Sequence, residues 1–250
     1  MNLQEFSDGF TTLLNSYGSH FEFGEQSSNR EVILNEYEKS FFLTKAQEEL
    51  VISLYSGKNT SGDTFEGTEE LRRYLSPLVK TEEASRPGSI DNAMGIGDSS
   101  FFQLMDDLMF ITYEWVKLED GKGKCDGMTT MDVYPVTQDE YHKIKRNPFR
   151  GPNDRRALRL DVGGNTVEII CKYPVDKYFV RYIKRPKPII LISLPDGLTI
   201  NGESDKSDED NPCELDASLH QKILDLAVRM ALQIKSPSLG PTEAKKKPHN

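Results

Sequence analysis

Residues 215–234, LDASLHQKILDLAVRMALQI, carry the strongest helical pattern in the chain. Apolar side chains recur there at three- and four-residue steps, which is the spacing of one helix face. The residues of this stripe are Leu215, Leu219, Ile223, Leu226, Ala227, Met230 and Ile234. A helix of about five turns gains most of its stability from packing such a stripe against a partner. The natural partner is an equally patterned region near the other end of the chain.

That second region is residues 44–55, TKAQEELVISLY. Thr44 and Gln47 have the spacing of a capping box, so a helix is predicted to begin at Thr44. Asn35 is predicted to cap a separate short helix over residues 36–41. The residues predicted to face inward from the longer helix are Leu50, Val51, Leu54 and Tyr55.

Two more helices are predicted in the N-terminal third. The first covers residues 3–17, where apolar residues again follow a three- and four-residue spacing, and it stops at Gly18. The other is capped by Thr68. Its apolar face consists of Leu71, Tyr74, Leu75 and Leu78.

The pattern changes to a period of two in the middle of the chain, which indicates strands. Residues 108–118 alternate so that both faces look half-buried, as in a sandwich or barrel strand. A capping-box pattern at Thr137 predicts a short helix over residues 138–146. The other predicted strands cover residues 128–136, 157–162, 166–172, 177–183 and 189–194.

These patterns predict an α+β fold in which helices from both chain ends form a bundle around an antiparallel β-sheet or sandwich insertion. The expected parts are an N-terminal helical part (1–84), the β-rich insertion (85–212), a C-terminal helix (213–236) and an extended tail (237–250). The tail is rich in Pro and Lys and has no core-forming residues.

Composition excludes several classes of protein. The chain has 250 residues, 36% of them hydrophobic and 28% charged, which is typical of a globular protein. No apolar run reaches the roughly 20 residues that span a bilayer, and no signal peptide is predicted. Cys125, Cys171 and Cys213 form no C-x-x-C pair and are expected to stay reduced. The net charge of −9 disfavours a protein that grips nucleic acid over its whole surface, but it permits one that surrounds DNA.

The sharpest chemical look-alike is Asp161-Val162-Gly163-Gly164-Asn165-Thr166-Val167-Glu168. It is similar to the phosphate-binding hairpin of actin-like and sugar-kinase ATPases. Those enzymes need a second such motif near the N-terminus, and a two-stranded hairpin explains the same residues. The four histidines have no second ligand at helical spacing. No catalytic, cofactor-binding or metal-binding residue is therefore predicted, and a nucleotide-dependent enzyme is the alternative.

A dense basic stretch stands out in this acidic chain. It consists of Lys143, Lys145, Arg146, Arg150, Arg155, Arg156 and Arg159. Its predicted partner is the acidic loop of a neighbouring copy, residues 202–212, with Asp208, Glu209 and Asp210 as the contact candidates. Opposite charge blocks on one chain suit a head-to-tail contact, which closes into a ring when the rotation permits. The alternatives are a solvated surface and a phosphate contact, as in a DNA-binding regulator.

Several segments resemble one protein family. They are residues 34–40 (LNEYEKS), 43–51 (LTKAQEELV), 65–78, 182–191 (YIKRPKPIIL) and 213–232. They are similar to a virion structural protein of crAss-like tailed bacteriophages, which infect gut Bacteroidetes, and the similarity runs from about residue 30 to residue 235. In such virions this class resembles a ring or head–tail connector protein, distantly similar to the adaptors and tail tubular proteins of podoviruses.

The resemblance implies a non-enzymatic subunit of a homo-oligomeric, twelve-fold ring below the portal. Its implied partners are sister copies, the portal, other tail and ring proteins, and genomic DNA passing through without sequence-specific binding. It implies no cofactor and no membrane contact, and it places the protein in the virion after synthesis in the host cytoplasm. Another virion part, such as a tail hub or a capsid-associated protein, is the structural alternative. The net charge suggests an acidic channel wall along which DNA slides.

Overall fold

The computed structural model describes residues 1–18, 34–58, 64–65, 67–87, 99–119, 129–144, 147 and 149–235. The predicted tail lies outside these residues. The described residues confirm an α+β fold with five α-helices and one seven-stranded sheet. The chain forms two compact units: a helical unit, made of residues up to Pro77 and from Pro186 onwards, and a sheet unit, Leu78–Arg185.

The helices agree with four of the predicted positions and differ in their limits. They are α1 (Leu3–Gly18), α2 (Glu36–Ser56), α3 (Glu69–Leu75), α4 (Gln138–Ile144) and α5 (His220–Lys235). Thr68 caps α3 as predicted. Residues 215–219, which the pattern includes in the last helix, instead lead into it through a short 3₁₀ turn whose cap is Asp216.

The prediction of two helices between residues 35 and 56 is wrong. A single helix, α2, runs from Glu36 to Ser56, and Asn35 and Glu38 form the capping box that opens it. Asn35 Oδ1 accepts from the Glu38 N–H (2.8 Å), and Glu38 Oε2 accepts from the Asn35 N–H (2.9 Å). No Gly or Pro interrupts the following 20 residues, so the helix continues through Thr44 until Gly57 ends it at φ 75°.

Helix α5 packs against both α1 and α2. Its buried face is turned from the predicted stripe, because Leu224, Val228 and Ala231 are buried while Leu226 and Met230 are only half-buried. Gly9 of α1 permits the close approach, since a Cβ atom there would lie 3.0 Å from Leu224 Cδ1.

The strand predicted at residues 189–194 is wrong. Pro186 and Pro188 cannot donate to a ladder, and side-chain hydroxyls satisfy the backbone instead. The N–H groups of three successive residues donate to these hydroxyls: Ile189 to Thr44 (3.0 Å), Ile190 to Ser207 (2.8 Å) and Leu191 to Ser40 (2.9 Å). Two hydroxyls of α2 thus hold this extended segment in the helical unit.

The sheet unit contains all seven strands in the order β1-β7-β3-β4-β5-β6-β2. They are β1 (Val79–Ala84), β2 (Ser99–Gln103), β3 (Leu108–Leu118), β4 (Thr130–Pro135), β5 (Arg156–Gly163), β6 (Thr166–Ile170) and β7 (Val175–Lys184). The sheet curls until its edges meet at one bridge, where Ser85 and Gln103 exchange backbone hydrogen bonds. Sequence patterns did not predict the edge strands β1 and β2.

The expectation of a purely antiparallel sheet is also wrong, because β4 and β5 pair in parallel. Parallel neighbours need a long crossover, usually a helix, and α4 supplies it. Tyr141 of this helix packs on Leu158, Leu160 and Ile170 on the outer face of the sheet. Helix α4, which lies between β4 and β5 in the chain, therefore allows β5 to run parallel to β4.

The predicted hairpin is confirmed in β5 and β6. Its turn places Gly163, Gly164 and Asn165 at φ 117°, 58° and 59°, a region that glycine enters without strain. The inner face of the curled sheet carries an apolar core that includes Phe102, Val116 and Tyr178.

Candidate assembly surfaces

The structure separates the predicted basic stretch into different environments. Lys143 is exposed on α4, Arg150 and Arg155 are exposed in the loop before β5, and Arg156 is half-buried. Arg159 is buried, with 9% of its surface exposed. Lys145 and Arg146 lie outside the described residues. The exposed members of the stretch among the described residues are therefore Lys143 on α4 and Arg150 and Arg155 in the loop before β5.

Arg159 belongs to a charge network on the inner face of the sheet. Its Nη1 lies 2.7 Å from Glu114 Oε1, and its Nε lies 3.1 Å from Asp161 Oδ1. The Tyr178 hydroxyl donates to the other oxygen of Glu114. Burial raises the pKa of the Glu114 carboxyl above its ordinary value, and the Arg159 guanidinium acts in the opposite direction. These partners all belong to the same chain.

The loop formed by residue 147 and residues 149–155, here called the basic loop, is held by local contacts. Asn147 Oδ1 accepts from the N–H groups of Phe149 (2.9 Å) and Arg150 (3.3 Å). Arg156 donates to the Phe149 carbonyl (3.1 Å), and its guanidinium carbon lies 4.4 Å from the centre of the Tyr134 ring. This framework presents Phe149 to solvent with 84% of its surface exposed.

The side chains of Arg150, which follows Phe149 in the chain, and of Arg155 lie at the surface of the same loop. Within the described part of the chain, neither guanidinium has a carboxylate at ion-pair distance. An exposed aromatic side chain with adjacent arginines has the composition of an interface centre, where Arg and aromatic residues are enriched.

Residues 203–211 of the helical unit, here called the acidic segment, contain the predicted acidic candidates. Its five carboxylates and one ammonium group belong to Glu203, Asp205, Lys206, Asp208, Glu209 and Asp210, and all six side chains are exposed. The Leu3 N–H donates to the Glu209 carbonyl (2.9 Å), which ties the segment to the start of α1. The Lys206 ammonium donates a hydrogen bond to the Glu209 carboxylate (2.7 Å) and so lowers the pKa of that carboxyl. Among the described residues, no lysine lies at this distance from the other four carboxylates.

A groove of about 520 Å³ lies beside the acidic segment, within the helical unit. Leu191 and Ile192 provide its apolar side, and Ile192 is 51% exposed. Its charged lining consists of Glu36, Glu209, Asp210 and Lys206, so carboxylates are in excess. The groove therefore combines an apolar wall with negative charge.

The outer face of the sheet carries a row of aromatic rings. Trp115 stacks on Tyr113 (centroids 5.4 Å apart, 25° between planes) and on Phe179 (5.3 Å, 14°). Tyr113 also donates to Asp132 (2.6 Å). A platform for single-stranded nucleic acid needs ring faces on which bases can stack. Here the Trp115 ring is already stacked on both of these neighbours.

The Asp161 motif makes the contacts of a hairpin turn. The Gln103 side chain donates to the Gly164 carbonyl (3.0 Å), and the Leu104 N–H donates to the Asn165 carbonyl (2.8 Å). Elsewhere in the described residues, no group of His, Cys, Asp and Glu could hold a metal ion, and no helix is long and apolar enough to cross a membrane. Cys171 and Cys213 are buried free thiols, and burial raises the pKa of Cys213 to about 11.

Sequence reasoning missed Phe149 and the groove. Phe149 was detectable as a lone large apolar residue in a basic, turn-rich stretch. The groove was not, because it joins residues from α1, from α2 and from positions 191–210 that only the fold brings together.

Comparison with known proteins agrees with the resemblance found in the sequence. Residues 1–243 match the family described as phage tail ring protein 3/4. The chain is 47% identical over 245 residues to Ring protein 3 of Bacteroides phage crAss001, covering 97% of this chain and 100% of that protein. It is 31% identical over 240 residues to Ring protein 4/5 of the same phage, covering 92% of each. The chain therefore belongs to the family of phage tail ring proteins 3/4 from crAss-like phages.

Proposed function

We propose that this protein is a non-enzymatic structural subunit that assembles with its own copies into a ring of the portal–tail region of a crAss-like phage. The family match over nearly the whole chain carries this proposal. In this role the ring joins the portal to the tail, contacts the portal and other ring proteins, and surrounds the path of genomic DNA. Twelve copies per ring is the number we propose.

The charge distribution supports a head-to-tail contact between copies. The basic loop lies in the sheet unit, with Arg150 and Arg155 exposed, and the acidic segment lies in the helical unit, with Asp208 and Asp210 exposed. Two different surfaces of opposite charge on each copy pair heterologously, which is the kind of interface that closes into a ring. Charge complementarity of this kind fixes the register and speeds association.

In the assembled ring, we propose that α1, α2 and α5 act as the helical bundle. Contacts of α5 with both other helices support this role. We also propose that carboxylates line the channel, which agrees with the net charge of −9. A wall that repels phosphates would let DNA slide, because it would not bind DNA by releasing counterions. Finding a channel lined by Lys and Arg would contradict this point.

Mass photometry of the purified chain tests the ring directly. We expect a concentration-dependent species near twelve times the mass of one chain, alone or on isolated portal. Electron microscopy of virions, with an antibody fragment against this chain as the marker, should place the same ring between the capsid and the tail. A protein that stays monomeric in solution and is absent from this position would contradict the proposal.

A further inference from the structure

We propose that Phe149 of one copy inserts into the groove between α1 and the acidic segment of the next copy. This inference rests on the proposed ring and identifies the centre of its subunit contact. The occupant of the groove is thus a second copy of this chain, presenting its basic loop.

The basic loop is built to present its aromatic tip. Asn147 holds the backbone of residues 149–151, since its side chain and its carbonyl accept from Phe149, Arg150 and Gly151. Arg156 donates to the Phe149 carbonyl, and its guanidinium lies over the Tyr134 ring. A loop that is already ordered loses little conformational entropy on binding. Phe149 nevertheless remains 84% exposed, which leaves a large apolar side chain in water within one copy.

The groove offers the Phe149 side chain an apolar surface and an acidic neighbour for Arg150. Leu191 and Ile192 form an apolar wall for the ring, and Ile192 is itself half in solvent. Glu36 and Glu209 in its lining are paired with Lys39 and Lys206 (2.7 Å each). Asp210 is therefore the lining carboxylate that Arg150 would meet once Phe149 is seated. The volume of about 520 Å³ is ample for a phenyl ring and falls in the range of protein pockets for small ligands.

Charge selects this occupant over others. The charged residues that line the groove are three acidic ones, Glu36, Glu209 and Asp210, and one basic one, Lys206, so the net charge disfavours an anionic ligand or a nucleic acid. The basic loop has the complementary charge, and it presents an aromatic side chain beside an arginine. Aromatic and Arg residues in a desolvated pocket supply most of the binding energy of typical interfaces.

Cysteine cross-linking between different copies tests the pairing. Copies carrying Phe149→Cys are mixed with copies carrying Ile192→Cys and oxidised. We expect a disulfide-linked species at twice the chain mass. The matched control replaces Ile192→Cys with Leu198→Cys, which is 42% exposed in the same unit but does not line the groove. Each single variant and the unmodified chain, oxidised alone, give the background from native cysteines.

Removing the ring of Phe149 gives a second, independent readout. In Phe149→Ala the concentration for half-assembly should rise by about 30-fold or more, the loss typical of an interface hot spot. Val162→Ala removes another exposed apolar side chain of the sheet unit and should leave assembly unchanged. Circular dichroism checks that both variants are folded.

The outcomes separate this inference from the proposed function. Two results together would overturn the inference and leave the proposed ring intact. They are normal ring formation by Phe149→Ala and equal cross-linking of Phe149→Cys to Ile192→Cys and to Leu198→Cys. An unmodified chain that forms no ring in solution or in virions would overturn both. Selective binding of duplex DNA that is lost in Phe149→Ala would assign the loop to nucleic acid and would also overturn the inference.

Discussion

Arg159 on the inner face of the sheet and Arg150 at the tip of the basic loop belong to the same basic stretch, yet they have opposite environments. Arg159 is buried with Glu114 and Asp161 as partners. Arg150 is exposed beside Phe149. The difference teaches that the local density of charge does not reveal its role. Burial and pairing distinguish a charge that contributes to the fold from one that is available to another molecule.

The sharpest test of this distinction is to remove the buried cation. In Arg159→Leu, the Glu114 carboxylate stays buried with only the Tyr178 hydroxyl, so the free energy of unfolding should fall by roughly 3–5 kcal/mol. Urea denaturation measures this change. The exposed pair of Lys172 and Asp154 is the control, and Lys172→Ala should change the free energy of unfolding little. Equal costs for the two variants would contradict the distinction.

A buried and a half-buried leucine of α5 provide the same comparison for apolar groups. Leu224 is buried and contacts the α1 surface near Gly9, so Leu224→Ala should cost roughly 2–5 kcal/mol. Leu226 is only half-buried, so Leu226→Ala should lower the free energy of unfolding clearly less. Thermal unfolding of the two variants, measured side by side, gives the order. A larger loss at Leu226 would show that the helix packs on the face that the sequence stripe predicts.

Hydroxyl groups extend the comparison to hydrogen bonds. Thr44 is buried in the middle of α2 and accepts the Ile189 N–H, so Thr44→Val should cost roughly 1–3 kcal/mol by leaving that N–H unsatisfied. Thr12 on α1 is exposed, and its hydroxyl donates to the Asp8 carbonyl. Thr12→Val should change the free energy of unfolding little. A small loss for Thr44→Val would contradict the role of the Thr44 hydroxyl in holding this segment.

The smallest expected effect concerns His220, which lies buried at the start of α5. Its Nε2 lies 3.2 Å from the Leu215 carbonyl, and burial lowers its pKa below the usual 6.5. Below pH 6.5 the unfolded chain therefore binds more protons than the folded one, so the free energy of unfolding should fall as the pH falls through that value. Denaturation at several pH values, compared with His220→Gln, isolates this contribution. An identical pH profile in the variant would contradict it.

Much of the fold could be predicted because several of its elements depend only on residues that are close together in the sequence. The Asn35 and Thr68 caps, the apolar spacing of α1 and the Gly163-Gly164-Asn165 turn each determine a short segment through nearby atoms. The capping pattern at Thr44 was misleading, because Asn35 had already opened the helix. The segment at residues 189–194 was misread because its hydrogen-bond partners, Ser40 and Thr44, lie about 150 residues away.

The assembly surfaces were only partly predictable for a related reason. The acidic segment is exposed, as its composition suggests, because charged side chains are rarely buried unless they are paired. In the basic stretch, burial of Arg159 depends on Glu114 of another strand, which no local pattern of positive charge reveals. The groove depends on three distant parts of the chain.

The most direct test of the central claim is a charge exchange between copies. One variant reverses the basic loop (Arg150→Glu with Arg155→Glu), and a second reverses the acidic segment (Asp208→Lys with Asp210→Lys). In a head-to-tail ring, each reversed surface should prevent assembly of its own variant, whereas an equimolar mixture should form rings in which the two variants alternate. Mass photometry of the two variants and of their mixture measures this outcome. Rings from either variant alone, or none from a mixture of folded variants, would contradict the account.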